Sequence, residues 1–358
     1  MAFHVNYSRL ERCLHRLAFA SPAVQLVAAD IERTVCGAIY RDAVPRMPIF
    51  ITSLPRAGTT ALLEAISRLP GTATHLYRDM PFVLAPVLWS RLSSRFRVQA
   101  SLRERAHGDG MLVGEDSPEA FEEVLWHALW PERYTTGRIP LWSAADNTES
   151  TRRMFVEHMR KVIALRHPDC LEHARYVSKN NANIARLEIL PRMLPDAFIV
   201  VPVRHPVAHA ISLLRQHRHF LAMHEAEPFT RRYMRDIGHY EFGALHQPIA
   251  FPRLDQLTAG RSPLTLEYWL GYWIAAFEYV LAHRDVVICV SYDDLCAEPG
   301  RALGGLLRRC EIDDGGALEA VASTFRRRTA SDQPDEALAP ALLEHALQIH
   351  EALLSREA

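Results

Sequence analysis

The spacing of apolar and polar positions predicts helices near the start of the chain and short buried strands further along. Residues 8–37 carry apolar side chains at three-to-four spacing, which is typical of helix. Ser21 and Pro22 are expected to divide this stretch into two helices, because proline fits a first helical turn. Four later runs are short and mainly apolar, as buried strands are. These runs are residues 48–52, 176–178, 198–203 and 286–291.

Helical spacing precedes or follows each of these runs. The helical stretches are residues 150–165, 183–194, 206–222, 265–283 and 300–310. Apolar strands that alternate with helices are typical of a parallel sheet covered on both faces. The sequence therefore predicts an α/β fold with a central, mainly parallel sheet. Trp269 and Trp273 recur at helical spacing, which predicts that they pack in the core.

Two features interrupt this regular alternation. Pro202 lies inside a predicted strand, and a proline in a central strand predicts a bulge or an early strand end. Residues 217–262 are rich in His, Arg, Pro and aromatic side chains, and we expect them to form an insertion or lid beside the sheet. With a helical extension over residues 1–45, the chain is expected to form one domain over residues 1–358.

Composition indicates a folded chain of almost zero net charge. The 358 residues include 41 Lys+Arg and 42 Asp+Glu, which argues against nucleic acid as the main partner. We expect no transmembrane segment, because no apolar run approaches the roughly 18 residues that a bilayer requires. The first twenty residues lack the pattern of a secretory signal. The six cysteines form no CxxC pair and no Cys–His cluster with the spacing of metal ligands, so we expect no metal site. Scattered cysteines of this kind are expected to be reduced thiols, and we expect a cytoplasmic protein.

The loop after the first strand has the strongest local chemistry. A glycine between a strand and a helix, here Gly58, places backbone N–H groups and a helix N-terminus at one point, where they attract phosphate. Thr59 and Thr60 add hydroxyl groups, and Arg56 adds a positive charge. An ordinary turn with a threonine cap is the alternative. A nucleotide P-loop of the form GxxxxGK[ST] would have lysine where Thr59 stands, so a small-molecule kinase is disfavoured but stays open.

A second strand end offers another cation. Arg204 follows the apolar run 198–203, and Ser212 lies eight residues later in the following helix. The carboxyl ends of parallel strands form the crevice in which α/β proteins bind ligands, so both side chains are expected at that crevice. Taken alone, each residue has an ordinary explanation, a surface ion pair for Arg204 and a tolerated helical serine for Ser212.

These two elements, in this order, resemble the nucleotide-binding elements of sulfotransferases that use 3′-phosphoadenosine-5′-phosphosulfate (PAPS). The resemblance implies a three-layer α/β fold of the P-loop type. It also implies that the first loop binds the 5′-phosphosulfate and that Arg204 and Ser212 bind the 3′-phosphate. The loop residues so assigned are Ser53, Pro55, Arg56, Ala57, Gly58, Thr59 and Thr60.

Three further segments extend the resemblance. Residues 177–181 resemble the element that carries a lysine near the transferred group, which assigns Lys179 a catalytic role beside Arg56. Cytosolic members have a histidine base two positions later, where this chain has Asn181. Residues 290–295 resemble a late strand whose acidic pair is expected to be structural. The basic run near residue 326 lies where the family often closes over the nucleotide. It supplies two further contacts, Arg327 and Arg328.

The general base must therefore lie elsewhere. Residues 74–81 correspond to the segment in which tyrosylprotein and several bacterial sulfotransferases carry a carboxylate base, and we expect Asp79 in this role. His75 is the second candidate, because an imidazole titrates near neutral pH. Asp116 and Glu119 are the third. Asp79 has an ordinary alternative as a loop residue or helix cap.

The resemblance implies sulfuryl transfer from PAPS to a hydroxyl or amine acceptor, with 3′-phosphoadenosine-5′-phosphate (PAP) as the product and no metal. Small molecules, carbohydrates, lipids and peptides are all possible acceptors, and the sequence leaves the oligomeric state open. Two alternatives remain. One is a P-loop kinase, in which Asp293 and Asp294 would hold Mg²⁺, and the other is an inactive nucleotide-binding protein of the same fold.

Overall fold

Five parallel strands form the central sheet of the computed structural model, which describes residues 9–93, 103–104, 112–114, 116–325 and 337–355. Their order across the sheet is β2-β5-β1-β6-β7, and β3 and β4 form a separate antiparallel pair. The strands are β1 (Ile49–Ile51), β2 (Thr72–Ala73), β3 (Arg103–Glu104), β4 (Leu112–Val113), β5 (Arg175–Lys179), β6 (Phe198–Val203) and β7 (Val287–Ser291).

Helices connect the strands and cover the sheet. The α-helices are α1 (Arg9–Ala18), α2 (Pro22–Tyr40), α3 (Thr59–Ser67), α4 (Pro86–Ser93), α5 (Glu123–Leu129), α6 (Glu149–Arg166), α7 (Ile189–Met193), α8 (Pro206–Ala226), α9 (Pro228–Asp236), α10 (Leu254–Thr258), α11 (Leu266–Ala282), α12 (Tyr292–Ala297), α13 (Pro299–Arg309), α14 (Leu318–Ala322) and α15 (Pro340–Leu354). Short 3₁₀ turns are Tyr77–Asp79, Pro131–Tyr134, Ala144–Asp146, Asn181–Arg186, Gly243–Leu245 and Arg284–Val286.

Alternate side chains of the strands pack into two separate cores, because successive residues of a strand point to opposite faces. Phe50 packs with α6, α8 and α11 on one face of β1, and Ile49 and Ile51 pack with α3 and α13 on the other. Trp269 and Trp273 of α11 are fully buried, as predicted. The predicted three-layer α/β arrangement with a parallel central sheet is thus confirmed.

Of two local predictions about helices, one differs from the structure and one is confirmed. The expected helix over 183–194 is instead a 3₁₀ turn, Asn181–Arg186, followed by the short α7. The turn forms because the side chain of Asn180 accepts a hydrogen bond from the amide of Ala182, and because Asn183 and Arg186 bind buried glutamates. The predicted division of the N-terminal helices is confirmed, since α2 begins at Pro22.

The expectation of a bulge or early strand end at Pro202 is wrong. β6 continues through Pro202 to Val203, in regular register with β7. Its pairing with β1 ends earlier, where Ile51 lies opposite Val200. Pro202 therefore occupies a part of β6 that is paired on one side only, where its missing N–H is tolerated.

The segment 217–262 packs against the long buried helix α11. α8 extends to Ala226, further than predicted, and the chain then forms α9, the Gly243–Leu245 turn and α10. α10 and α8 both contact α11. Among the residues described, no helix combines the length and the apolar character needed to cross a membrane.

Candidate functional site

The ends of β1 and β6 carry two arginines that meet directly. Nη1 of Arg204 donates to the backbone carbonyl of Arg56 at 3.0 Å. Nε of Arg56 in turn donates to Oγ of Ser212 at 3.4 Å. β1 and β6 are neighbours in the sheet, so their carboxyl ends open into the same crevice. The structure thus brings these three predicted binding residues into one cluster.

The backbone of the loop after β1 is curled at two positions. Arg56 has φ 74° and Gly58 has φ 90°, both in the left-handed region. A Cβ on Gly58 would lie 2.3 Å from the ring of Tyr292, so that position requires glycine for its conformation and for its space. A left-handed arginine is strained, and such strain is typical of functional loops. The guanidinium carbon of Arg204 lies 5.7 Å from the same tyrosine ring.

A buried histidine holds the loop from behind. Nε2 of His209, in the first turns of α8, lies 2.8 Å from the carbonyl oxygen of Pro55. Burial and the charges of Arg204 and Arg56 lower the pKa of His209 to about 3, so its ring is neutral. The carbonyl groups at 55 and 56 are therefore both hydrogen-bonded to residues on or just before α8.

The hydroxyl groups of the loop have different partners. Ser53 donates to the carbonyl oxygen of Pro202 at 2.9 Å, which ties the ends of β1 and β6 together. Thr59 donates to Oδ1 of Asn181 at 3.2 Å. Thr60 is half-buried in the first turn of α3, and Ala57 is fully buried in the loop. Ser53 thus positions the loop, and the first turn of α3 supplies amide groups to the crevice.

Lys179 and Asn181 follow the adjacent strand. Lys179 ends β5, lies opposite Ile51 of β1 in the sheet and is 8% exposed. Nδ2 of Asn181 donates to Oε1 of Glu241 at 3.1 Å, and its backbone carbonyl accepts from the hydroxyl of Thr52 at 3.2 Å. Asn181 therefore connects the first loop to the segment 217–262.

The surroundings of Asp79 argue against its predicted role as a base. The residue is 2% exposed, and its Oδ2 accepts hydrogen bonds from Arg166 and from the amide of Leu76. Burial raises the pKa of the Asp79 carboxyl, but the hydrogen bond from His75 and the charge of Arg166 outweigh burial and lower that pKa. A buried, ion-paired carboxylate of low basicity is suited to holding the fold together, and not to contacting an acceptor.

The remaining base candidates are also engaged elsewhere. His75 is 2% exposed and lies between Asp79 and His158, with its Nε2 2.8 Å from Nε2 of His158. Asp116 is an exposed ion-pair partner of Arg78. Glu119 accepts from the amide of the next residue at 2.9 Å. These contacts favour structural roles.

Of the late acidic pair, Asp293 acts through its carboxylate and Asp294 through its backbone amide. Oδ2 of Asp293 accepts from the amide of His205 at 3.1 Å, just before α8 begins. The amide of Asp294 donates to Oγ of Ser291 at 3.0 Å, which caps α12. Within the described ranges, no group of three or more His, Cys, Asp or Glu side chains could hold a metal ion. The predicted contacts at Arg327 and Arg328 lie outside the described residues.

Comparison with known proteins agrees with this arrangement. The model of the sulfotransferase family matches residues 48–315, most of the chain. The chain belongs to the sulfotransferase family. No curated protein matches it in sequence.

Similar solved structures include sulfotransferase STF1 from Mycobacterium tuberculosis H37Rv and sulfotransferase STF9 from Mycobacterium avium. STF1 is 16% identical with a TM-score of 0.50, and the match covers 98% of this chain and 88% of that chain. STF9 is 12% identical with a TM-score of 0.50, and the match covers 98% of this chain and 86% of that chain. At these identities the likeness to both sulfotransferases shows the fold.

In this member of the sulfotransferase family, a cavity adjoins the first loop. Leu54 and Pro55 of the loop line it, together with Lys179 and Asn181. Glu241, from the segment 217–262, also lines it. The cavity therefore lies where a group held by the loop and a second molecule would meet.

Sequence reasoning gave two residues of this site no specific role. His209 follows Arg204 by five residues, but nothing local indicates that it contacts Pro55, 154 positions away along the chain. From the sequence, Glu241 belongs to a His- and Arg-rich segment that could form a wall of the acceptor pocket, a dimer contact or a solvated lid, and nothing singles out its carboxylate. The one available signal was its place in a segment that breaks the regular alternation, since such segments often carry function.

Proposed function

We propose that the chain transfers a sulfuryl group from PAPS to a hydroxyl or amine acceptor. The observation that best supports this proposal is the contact of Arg56 with both Arg204 and Ser212 at neighbouring strand ends. Two guanidinium groups held in one crevice repel each other, and a bound polyanion removes that repulsion. PAPS has anionic groups at its 3′ and 5′ positions, one for each strand end.

The first loop has the donor groups that a phosphosulfate needs. α3 begins at Thr59, and the N–H groups and dipole of a helix N-terminus attract an anion. The left-handed residues Arg56 and Gly58 curl the loop, and curled backbone of this kind forms anion-binding concavities. Because His209 and Arg204 bind the carbonyl groups at 55 and 56, these negative dipoles are already neutralised.

Each cation has a position that suits one part of the reaction. PAPS supplies the sulfuryl group, and transfer depends on in-line positioning and on stabilising the charge of the departing phosphate. Arg56 would bind the 5′-phosphate, while Arg204 and Ser212 would bind the 3′-phosphate and fix the nucleotide. Lys179 ends the strand beside β1 and lines the cavity, so its ammonium group is suited to the oxygen that the sulfuryl group leaves.

Thermal denaturation with PAP tests the donor. At about 100 times its Kd, PAP should stabilise the folded protein by about 2.7 kcal/mol and raise the Tm in the absence of Mg²⁺. ATP with Mg²⁺ should have no comparable effect, and the reverse pattern would favour the kinase alternative. A Tm that neither ligand changes would contradict nucleotide binding.

Matched arginine variants localise the effect. Arg204→Ala should abolish the PAP-induced rise in Tm, whereas Arg153→Ala, which changes an exposed arginine of α6, should retain it. Formation of labelled products from ³⁵S-labelled PAPS and a panel of hydroxyl and amine acceptors then measures transfer. PAP binding without transfer to any acceptor would favour the inactive nucleotide-binding alternative.

A further inference from the structure

Both polar and apolar side chains line the cavity beside the first loop. The polar ones are Glu123, Lys179, Asn180, Asn181, His239, Glu241 and Gln247. The larger apolar and aromatic ones include Leu54, Ile139, Ile249, Trp269 and Tyr272. Such a mixture is typical of small-molecule sites, in which apolar walls hold the body of a ligand and a few polar groups orient its reactive atom.

Glu241 is separated from the first loop by one side chain. Oδ1 of Asn181 accepts from the hydroxyl of Thr59 at 3.2 Å, and Nδ2 of Asn181 donates to Oε1 of Glu241 at 3.1 Å. Thr59 is the first residue of α3, directly after the curled loop. A carboxylate is therefore held next to the point where the loop would present the sulfuryl group.

Several contacts hold the backbone around Glu241 in place. Nδ1 of His246 lies 2.7 Å from the carbonyl oxygen of Glu241, and its Nε2 lies 2.9 Å from the hydroxyl of Tyr268. The amide of Gly243 donates to Nδ1 of His217 at 3.2 Å. A Cβ on Gly243 would lie 2.9 Å from the backbone of α8, so the turn is packed tightly. A carboxylate on such a turn is already positioned before any substrate arrives.

The other carboxylate of the cavity wall is fully engaged. Glu123 forms a buried ion pair with Arg186, with nitrogen–oxygen distances of 2.7 and 2.8 Å. It also accepts from the hydroxyl of Tyr134 at 2.5 Å and from Nδ2 of Asn180 at 2.7 Å. Both its oxygens are thus used in the interior. Among the cavity-lining carboxylates of the described chain, Glu241 is the one whose place suits proton transfer.

We propose that this cavity binds the acceptor and that Glu241 is the general base, an inference that rests on the sulfuryl transfer proposed above. The acceptor oxygen forms a bond to sulfur while the bond from sulfur to the 5′-phosphate oxygen breaks. That oxygen keeps the electron pair and leaves with PAP. The hydroxyl proton passes to the Glu241 carboxylate. The total charge is the same before and after the step, and Arg56 and Lys179 would stabilise the charge that develops on the departing phosphate oxygen.

The lining also defines the acceptor class. The cavity encloses about 30 Å³, so it takes the reactive end of an acceptor, and the body of a larger acceptor requires the cavity to widen. The apolar and aromatic side chains of its lining and the Glu241 carboxylate disfavour an anionic acceptor. The site therefore suits an apolar alcohol or phenol, and not a sulfated or carboxylated sugar chain. We use 2-naphthol as the neutral probe and 4-nitrophenol as its more acidic counterpart.

Calorimetric titration of 2-naphthol into the full chain with PAP bound tests the cavity. We expect saturable binding that Ile249→Trp, which fills an apolar wall, weakens at least tenfold while leaving the PAP-induced rise in Tm unchanged. Absence of 2-naphthol binding to the PAP-bound protein would overturn the assigned acceptor class. Equal binding by the Trp variant would overturn the assigned cavity.

Turnover of PAPS with 2-naphthol tests the base. Glu241→Gln should keep the PAP-induced rise in Tm and lose about 100-fold or more in kcat, because a positioned base contributes about 10²–10⁴. The loss should be much smaller with 4-nitrophenol, since its hydroxyl ionises without help at mildly alkaline pH. A purely structural role would reduce both rates equally. Glu172→Gln, at an exposed position before β5, is the matched control and should match the wild type.

A second variant covers the case in which Glu241→Gln does not fold. Glu241→Asp keeps a carboxylate on a shorter side chain. The kcat with 2-naphthol should therefore fall about tenfold, whereas the kcat with 4-nitrophenol should stay near that of the wild type. Equal kcat for wild type and either variant, or wild-type binding of 2-naphthol without turnover, would overturn the base assignment. A wild type that PAP does not stabilise would instead overturn the donor proposal, and this inference with it.

Discussion

The indole Nε1 of Trp273 donates a hydrogen bond to Nδ1 of His209 across 3.1 Å. An indole nitrogen can only donate, so Nδ1 is the accepting nitrogen and the proton of the neutral ring lies on Nε2. That proton is donated to the carbonyl oxygen of Pro55. A core tryptophan on α11 thereby sets which tautomer holds the first loop, although neither residue lies in the loop.

Replacement of His209 should therefore weaken nucleotide binding, although His209 itself contacts the loop and not the nucleotide. His209→Ala removes a buried donor from the carbonyl of Pro55, and an unsatisfied buried group costs about 1–3 kcal/mol. We expect the Kd of PAP to rise about tenfold or more and the Tm to fall. Titration calorimetry with PAP measures the change, and the exposed His173→Ala is the control. Unchanged PAP affinity would show that the loop does not depend on this contact.

Buried histidines predict a loss of stability in mild acid. Burial lowers the pKa of His209 to about 3 and the pKa values of His217, His224 and His246 to about 4, from an ordinary value of 6.5. Below pH 6.5 these histidines bind protons in the unfolded chain but stay neutral in the folded chain. The stability that these groups contribute is therefore complete above pH 6.5 and is lost as the pH falls towards 4.

Urea denaturation between pH 7 and about pH 5, where most carboxylates stay ionised, measures this dependence. We expect the midpoint to fall steadily over this range. His246→Gln removes one of the titrating groups and should flatten the slope, whereas the exposed His173→Gln should leave it as in the wild type. A midpoint that is constant or rises on acidification would contradict the prediction.

Alanine variants of Gly58 and Gly137 distinguish the cost of backbone strain from the cost of steric overlap. Both have positive φ, 90° and 75°, but a Cβ on Gly137 meets nothing within 4 Å, whereas one on Gly58 would overlap the ring of Tyr292. Gly137→Ala should cost about 1 kcal/mol for the left-handed backbone. Gly58→Ala should cost about 2–4 kcal/mol, because overlap adds to strain, and should abolish the PAP-induced rise in Tm. Equal losses in urea denaturation would refute this difference.

Asp79 should affect stability more than catalysis. Asp79→Asn leaves the partly buried Arg166 without its charged partner, and because breaking a fully buried pair costs about 3–5 kcal/mol, we expect a loss of about 2–4 kcal/mol. Asp116→Asn, which breaks an exposed pair with Arg78, should cost less than about 1 kcal/mol. The kcat per folded molecule should remain within about twofold of the wild type in both variants. A stable Asp79→Asn protein without turnover would restore the base role predicted from sequence.

The meeting of Arg56 with Arg204 could be predicted because parallel topology leaves little freedom. Once the apolar runs are identified as strands of one parallel sheet, the residues that follow them must lie at one edge. The predicted break at Pro22 had a similarly local cause. Such rules need only the order and type of the elements.

Properties that depend on distant packing could not be predicted in this way. Asp79 is buried in an ion pair with Arg166, 87 residues away, and no local pattern indicates this contact. Glu241 reaches the first loop only because the segment 217–262 folds back over α11. The regular course of β6 through Pro202 depends on where β1 stops, which is a property of two strands together.

Leu54 and Pro55 belong to two places at once, the loop that follows β1 and the wall of the cavity. If binding of one substrate moves this shared wall, the affinity for the other changes, and by linkage each substrate changes the affinity for the other by the same factor. Acceptor preference then depends on whether the nucleotide is already present. A compound library screened against the empty protein would rank its members differently from the same library screened with PAP in place.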